Sequence, residues 1–155
     1  MYLAIVAMLM FVFPVGSVIL ETLVSSNAPG IMALIGKWFV FWSVGVRLFT
    51  AGVRQAINPR ATAKDILGIS GDEALLLVQE LGFANIGVGL VGIISLFQAS
   101  WVAPAALAGG LFYTLAGLRH IVAQHRNRLE NIALISDLFV GAVLTVYLVW
   151  TLARV

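Results

Sequence analysis

Residues 41–58 read FWSVGVRLFTAGVRQAIN, an apolar run that carries two arginines. Arg47 and Arg54 are seven residues apart, which stacks them on one face of a helix. A guanidinium stays charged in any protein, and placing one in hydrocarbon costs at least about 2.5 kcal/mol. Two such residues in one apolar helix therefore imply polar partners inside a membrane bundle. The alternative for Arg54, nearer the helix end, and for Arg119 in the fourth span, is that each snorkels to the cytoplasmic interface.

The rest of the chain agrees with a membrane setting. Of 155 residues, 61% are hydrophobic and 10% charged, where soluble domains carry about a quarter charged residues. The expected fold is all-α: an integral membrane bundle of five transmembrane helices forming one domain over residues 1–155. The spans read from hydropathy are Met1 to Leu20, Met32 to Ile57, Ala74 to Phe97, Ala103 to Ala123 and Ile132 to Leu152. Each approaches or exceeds the roughly 20 residues that cross hydrocarbon. No period-two alternation supports a barrel.

The first span lacks a basic leader and is too long for a signal peptide core, although Ser26-Asn27-Ala28 offers a small-x-small site. It reads as a retained helix, bent or loosened near Pro14. SSNAPG, residues 25–30, turns it into the second span. In the long loop, Thr62 followed by Asp65 predicts a brief surface helix, and Ser70 followed by Glu73 a capping box for the third span. Trp101 suits the interface, with Pro104 in a first helical turn. Asn127 followed by Glu130 repeats the capping pattern.

Five spans put the termini on opposite sides. One face owns Arg54, Arg60, Lys64, Arg119, Arg126 and Arg128, and the other Lys37 and Arg154. The excess predicts cytoplasmic loops after helices 2 and 4 and an amino terminus inside, in the cell (inner) membrane.

A rise of about 1.5 Å per residue places Glu80 and Asp137 about 10 Å inside that surface, and Arg47 about 15 Å deep, level with Asn85. The candidate cluster is Arg47, Arg54, Glu80, Asn85, Tyr113, Arg119, His120 and Asp137, with the arginines meeting Glu80 and Asp137 across helices. Arg47, Glu80, Asn85, His120 and Asp137 are expected to face inward. The competing reading is a purely structural ion-pair network. Packing faces follow from the small residues: Gly82, Asn85, Gly89 and Gly92 on one side of helix 3, with Glu80, Ala84 and Gly87 nearly opposite. Two smooth faces predict a central helix 3. On helix 4, Gly109, Gly110, Tyr113, Gly117 and His120 share a face; on helix 5, Ala133, Asp137 and Gly141 do.

Several chemistries have no signature. There is no cysteine, hence no disulfide, thiolate zinc or thiolate iron–sulfur site. GVGLVG at 87–92 follows no strand and is not a dinucleotide loop. His120 and His125 point in different directions on a helix, so no metal site is expected and haem is disfavoured. A net charge of +2 without a basic run excludes nucleic acid. No catalytic residue is assigned.

AGVRQ (51–55) and AGLRH (116–120) are alike, and each precedes a polar turn and a returning helix with one acid, Glu80 or Asp137. This pattern predicts two parallel hairpin repeats, helices 2–3 and 4–5, with helix 1 added. Chance similarity between Ala- and Gly-rich helices is the competing explanation.

Through WSVGVRLFTAGVRQAINP, QELGFANIGVGLVGIISLF, AGLRHI and SDLF, the chain resembles an uncharacterised bacterial family of small multi-pass membrane proteins. The Gly-x-Arg-Leu and Ala-Gly-x-Arg turns before a proline loop distantly resemble DoxX-like four-helix membrane proteins, some associated with quinone-linked respiratory complexes. The first helix departs from a four-helix plan. The resemblance brings in quinone as a ligand. The leading expectation is an accessory or assembly subunit of a larger membrane complex, partnered by other membrane subunits or by itself in the bilayer. A small-solute or proton-linked carrier using the charged cluster is second. A lipid- or quinone-modifying enzyme with His120 and Glu80 as acid–base groups is third.

Overall fold

A computed structural model describes residues 2–66, 71–122 and 127–154. Among these residues, five helices are long and apolar enough to cross a membrane: α1 (Leu3–Val24), α2 (Ile31–Ile57), α3 (Glu73–Ile94), α4 (Ala99–Val122) and α5 (Arg128–Leu152). Among the described residues there is no strand. The spans fall where hydropathy puts them. The differences lie at the ends: α1 runs on past Leu20 to Val24, α4 and α5 each begin four residues earlier than expected, at Ala99 and Arg128, and α3 ends at Ile94 rather than Phe97.

Local sequence explains the helix ends. Asn127 accepts from the Glu130 backbone N–H at 2.9 Å and the Glu130 carboxylate accepts from the Asn127 N–H at 3.0 Å, the reciprocal capping box that starts α5. At α3 the expected partner, Ser70, lies outside the described residues. Asp72 occupies the cap position without capping, and its carboxylate takes Arg60 at 2.9 Å instead. The brief helix after α2 starts three residues earlier than Thr62. Pro59 opens it at Asn58, because proline has the φ of a first helical turn and no N–H to satisfy. It continues as a π turn over Thr62–Ile66, with Thr62 and Ala63 buried.

Two of the long helices are loosened inside the bundle. In α1 the residues Met8–Val12 are π-helical, and the Phe13 N–H donates to the Met8 carbonyl five residues back. Pro14 accounts for this, since its ring crowds the preceding turn and it donates nothing. In α2 the π segment is Val40–Val46, directly before Arg47.

The hub of the bundle is α2 rather than α3. Its glycines let α3 approach backbone to backbone: a Cβ at Gly45 would meet the Gly92 and Ile93 backbone, and one at Gly52 the Gly82 carbonyl. On its other sides, Val44 fills the space at Gly109 of α4, and Tyr147 of α5 fills that at Gly36. Toward α1, Trp42 Nε1 donates to Ser17 Oγ at 3.0 Å, and Ser43 Oγ to the Leu9 carbonyl at 3.3 Å. The face of α3 with Gly82, Asn85, Gly89 and Gly92 is buried as expected, but Glu80, Ala84 and Gly87 are exposed, so α3 lies at the periphery. The expected faces of α4 and α5 are both buried: Leu138 packs at Gly117, Leu144 at Gly110 and Thr114 at Gly141. Val40, Val44, Met10, Val140 and Leu144 close the core without exposure. Apolar residues such as Leu23, Leu77, Phe97 and Leu152 ring the outside, as lipid contact requires.

Candidate functional site

In α2, the π turn sets the site's geometry. The Arg47 N–H donates to the Trp42 carbonyl, five residues back. In an α-helix that proton would go to the Ser43 carbonyl; here the buried Tyr113 hydroxyl of α4 donates to that carbonyl. From Arg47 onward α2 is regular again, so Arg47, Thr50, Ala51 and Arg54 share one side of it. That side faces a cavity of about 370 Å³.

All five helices contribute to the wall. From α2 come Arg47, Leu48, Thr50, Ala51, Arg54 and Gln55; from α3, Leu81 and Asn85. Phe112, Tyr113, Ala116, Arg119 and His120 enter from α4, and Ala133 and Asp137 from α5. Ile5 and Val6 of α1 and Thr62 of the short segment complete it. Asn85, Tyr113, His120 and Asp137 are buried, Arg47 is half-buried, and Arg54 and Arg119 are exposed at the rim.

Polar groups in this wall are held by specific bonds. Asn85 Nδ2 donates to Gln55 Oε1 at 2.8 Å, joining α3 to α2. His120 Nδ1 lies 3.9 Å from the Glu130 carboxylate, which also caps α5. The Arg47 guanidinium is the cation whose charge acts on Asp137. Such groups inside a span are stable only when they meet one another or water, so a shared cavity is their natural position.

The cavity thus gathers Arg47, Arg54, Asn85, Tyr113, Arg119, His120 and Asp137, but not Glu80. Glu80 is exposed on the outer face of α3, so it neither faces inward nor balances the arginines. Its neighbour Leu81 lines the wall, and one residue of helix rotates a side chain by about 100°. The sequence reading missed Gln55 and Thr62. Gln55 closes AGVRQ as His120 closes AGLRH, which was the available signal. His125 lies outside the described residues, and among those described no group of three or more metal-ligating side chains comes together.

A second polar cluster sits toward the other end of the bundle. Lys37 Nζ lies 2.8 Å from both Glu21 carboxylate oxygens, and Trp38 Nε1 donates to Glu21 at 2.6 Å. This ties α1 to α2. The sequence reading placed Lys37 at that surface without its partner.

The model of a family described as a family of unknown function, DUF6790, matches residues 4–154. No curated protein and no solved structure matches.

Proposed function

The chain belongs to the DUF6790 family, whose function is unknown, and we propose that it is a membrane carrier that binds a small amphiphilic ligand in the cavity among its five helices. One observation carries this reading: three arginines, a histidine and an aspartate share a 370 Å³ space with apolar walls. Ligand sites are concave, mostly apolar, and oriented by a few convergent polar groups. Ionisable residues inside membrane spans commonly face a water-filled cavity and mark such sites.

Orientation follows from charge. Arg54 and Arg119 line the cavity, and by sequence topology Arg60, Lys64 and Arg128 belong to the same side, against Lys37 and Arg154 on the other. This supports a cytoplasmic cavity mouth in the cell membrane. Trp38, Trp101 and Trp150 belong to the opposite end, in keeping with an interfacial aromatic belt there.

The test is retention of a small molecule. Full-length protein purified in mild detergent is expected to carry a bound compound by native mass spectrometry, and Ala116→Phe, which fills the cavity, to lose it while staying monodisperse. Wild type that carries nothing, and is stabilised by no amphiphile, refutes the reading.

A second reading, the accessory subunit, is favoured by Glu80. Facing lipid, a carboxylate costs about 2.5 kcal/mol or more, which a donor on a partner helix would offset. Gly87 on the same face is open. Under this reading the DoxX-like resemblance points to a quinone-linked respiratory complex. The chain has no cysteine, so Gly87→Cys gives a single crosslinking site; a stoichiometric membrane partner would support this reading and a lipid-only environment would sink it.

A further inference from the structure

Arg54 and Arg119 hold corresponding places around the cavity. Each is the fourth residue of an Ala-Gly-x-Arg-polar run, AGVRQ in α2 and AGLRH in α4. In both runs the alanine and the final polar residue line the wall. In both, the glycine seats the helix on the next one, Gly52 against Gly82 and Ile86, Gly117 against Leu138. The two hairpins therefore deliver one guanidinium each to the same rim. Both arginines are exposed, and among the described residues neither forms an ion pair.

The charge count is uneven. Among the described lining residues there are three arginines and one carboxylic acid, Asp137, so the excess is at least two positive charges whatever the state of Asp137. Asp137 is buried and Arg47 half-buried, whereas Arg54 and Arg119 are exposed, which leaves the exposed pair for a ligand. A guanidinium fork matches phosphate oxygens in bidentate fashion. A phosphomonoester carries about −1.5 to −2 at neutral pH, close to that excess, where a carboxylate carries half as much. The wall beside the rim is apolar, with Ile5, Leu81 and Phe112, and the volume suits one chain rather than two.

We propose that Arg54 and Arg119 form a phosphate site for a single-chain amphiphile, with the headgroup held between the two guanidiniums and the chain against Ile5, Leu81 and Phe112. This rests on the ligand-binding reading of the cavity and names its ligand class.

The experiment measures binding to the full chain in a neutral maltoside detergent, with dodecyl phosphate, dodecanoate, dodecylphosphocholine and inorganic phosphate as probes. Dodecyl phosphate should bind at least about tenfold more tightly than the other three. Arg54→Gln and Arg119→Gln should each weaken it about tenfold, and the double variant about a hundredfold. Both positions are exposed, and Arg→Lys variants, which keep charge but lose the fork, should fall between. Equal binding of inorganic phosphate assigns the site to a soluble anion and overturns the amphiphile. Equal binding of dodecanoate overturns the phosphate. If dodecylphosphocholine binds as well and the arginine variants change nothing, the headgroup site is wrong while the cavity reading stands. If no probe binds, the inference fails, and the retention experiment with Ala116→Phe separately decides the cavity reading.

Discussion

The Tyr113 hydroxyl of α4 donates to the Ser43 backbone carbonyl of α2, inside the π turn that precedes Arg47. This bond locks α4 to the one stretch of α2 whose backbone has left α-helical register. It thereby fixes the rotation of everything that follows, Arg47 and Arg54 included. Both atoms are buried, so losing the donor leaves a carbonyl short of a partner. Tyr113→Phe is expected to lower stability by about 1–2 kcal/mol. It should also weaken ligand retention, since Tyr113 lines the cavity. Thermal unfolding in detergent and native mass spectrometry read the two effects; unchanged values in both would show that the bond does not hold α4.

Close packing of α2 on α3 makes a sharp contrast between glycines of one helix. A Cβ at Gly89 would come within 2.5–2.8 Å of Phe49, partly its backbone, and one at Gly92 within 2.6–2.7 Å of the Gly45 backbone. Backbone cannot yield locally, so the helices must separate. Gly89→Ala and Gly92→Ala should each cost about 1–3 kcal/mol. Gly87 has nothing within 4 Å, and Gly87→Ala should gain up to about 1 kcal/mol from helix propensity. Unfolding midpoints of the three variants in one detergent check the ordering, and equal effects would refute the helix pairing.

Polarity in the sequence picked out most of the polar residues that share the cavity, and helix phase misplaced Glu80. Helix 3 has smooth small residues on two sides, so a single sequence could not tell which faced the bundle. The structure buries Gly82, Asn85, Gly89 and Gly92, and Glu80 follows Leu76 and Leu77 outward. The loosened turn of α1 was legible because Pro14 marks it. That of α2 was not, because VFWSVGV contains no proline and reads as plain helix. Glu21 escaped notice for a different reason: the predicted first span stopped at Leu20, one residue short of it.

The Glu21–Lys37 pair is 21% and 32% exposed at its side chains, between the surface and buried limits. Glu21 accepts two direct hydrogen-bond donors, Lys37 and Trp38, whereas Lys37 has the Glu21 carboxylate and a weaker cation–π contact, 4.8 Å from the Trp38 ring centroid. Glu21→Gln should therefore cost more than Lys37→Met, about 1–3 kcal/mol against about 1 kcal/mol. The double variant should cost less than the sum, because the second change no longer strands a charge. A double-mutant cycle on thermal stability decides this, and strict additivity would mean the pair carries no coupling.

Neutralising the two acids near the same depth should give different results. Asp137 sits in the cavity wall under the charge of Arg47, whereas Glu80 is outside it. Asp137→Asn makes this position neutral in every state, so no negative charge there can oppose an anionic ligand. Dodecyl phosphate should therefore bind more tightly, by up to about fivefold. The same substitution takes from Arg47 the carboxylate its charge acts on, and stability should fall by about 1–3 kcal/mol. Affinity and stability thus move in opposite directions at Asp137. Glu80→Gln should alter probe affinity by less than about twofold, because Glu80 is exposed on the outer face of α3 and has no place in the cavity wall. Titrations of both variants beside wild type check the pair of outcomes. If Glu80→Gln changed affinity as much as Asp137→Asn, the outer face of α3 would have to belong to the site, and the cavity would not be its boundary.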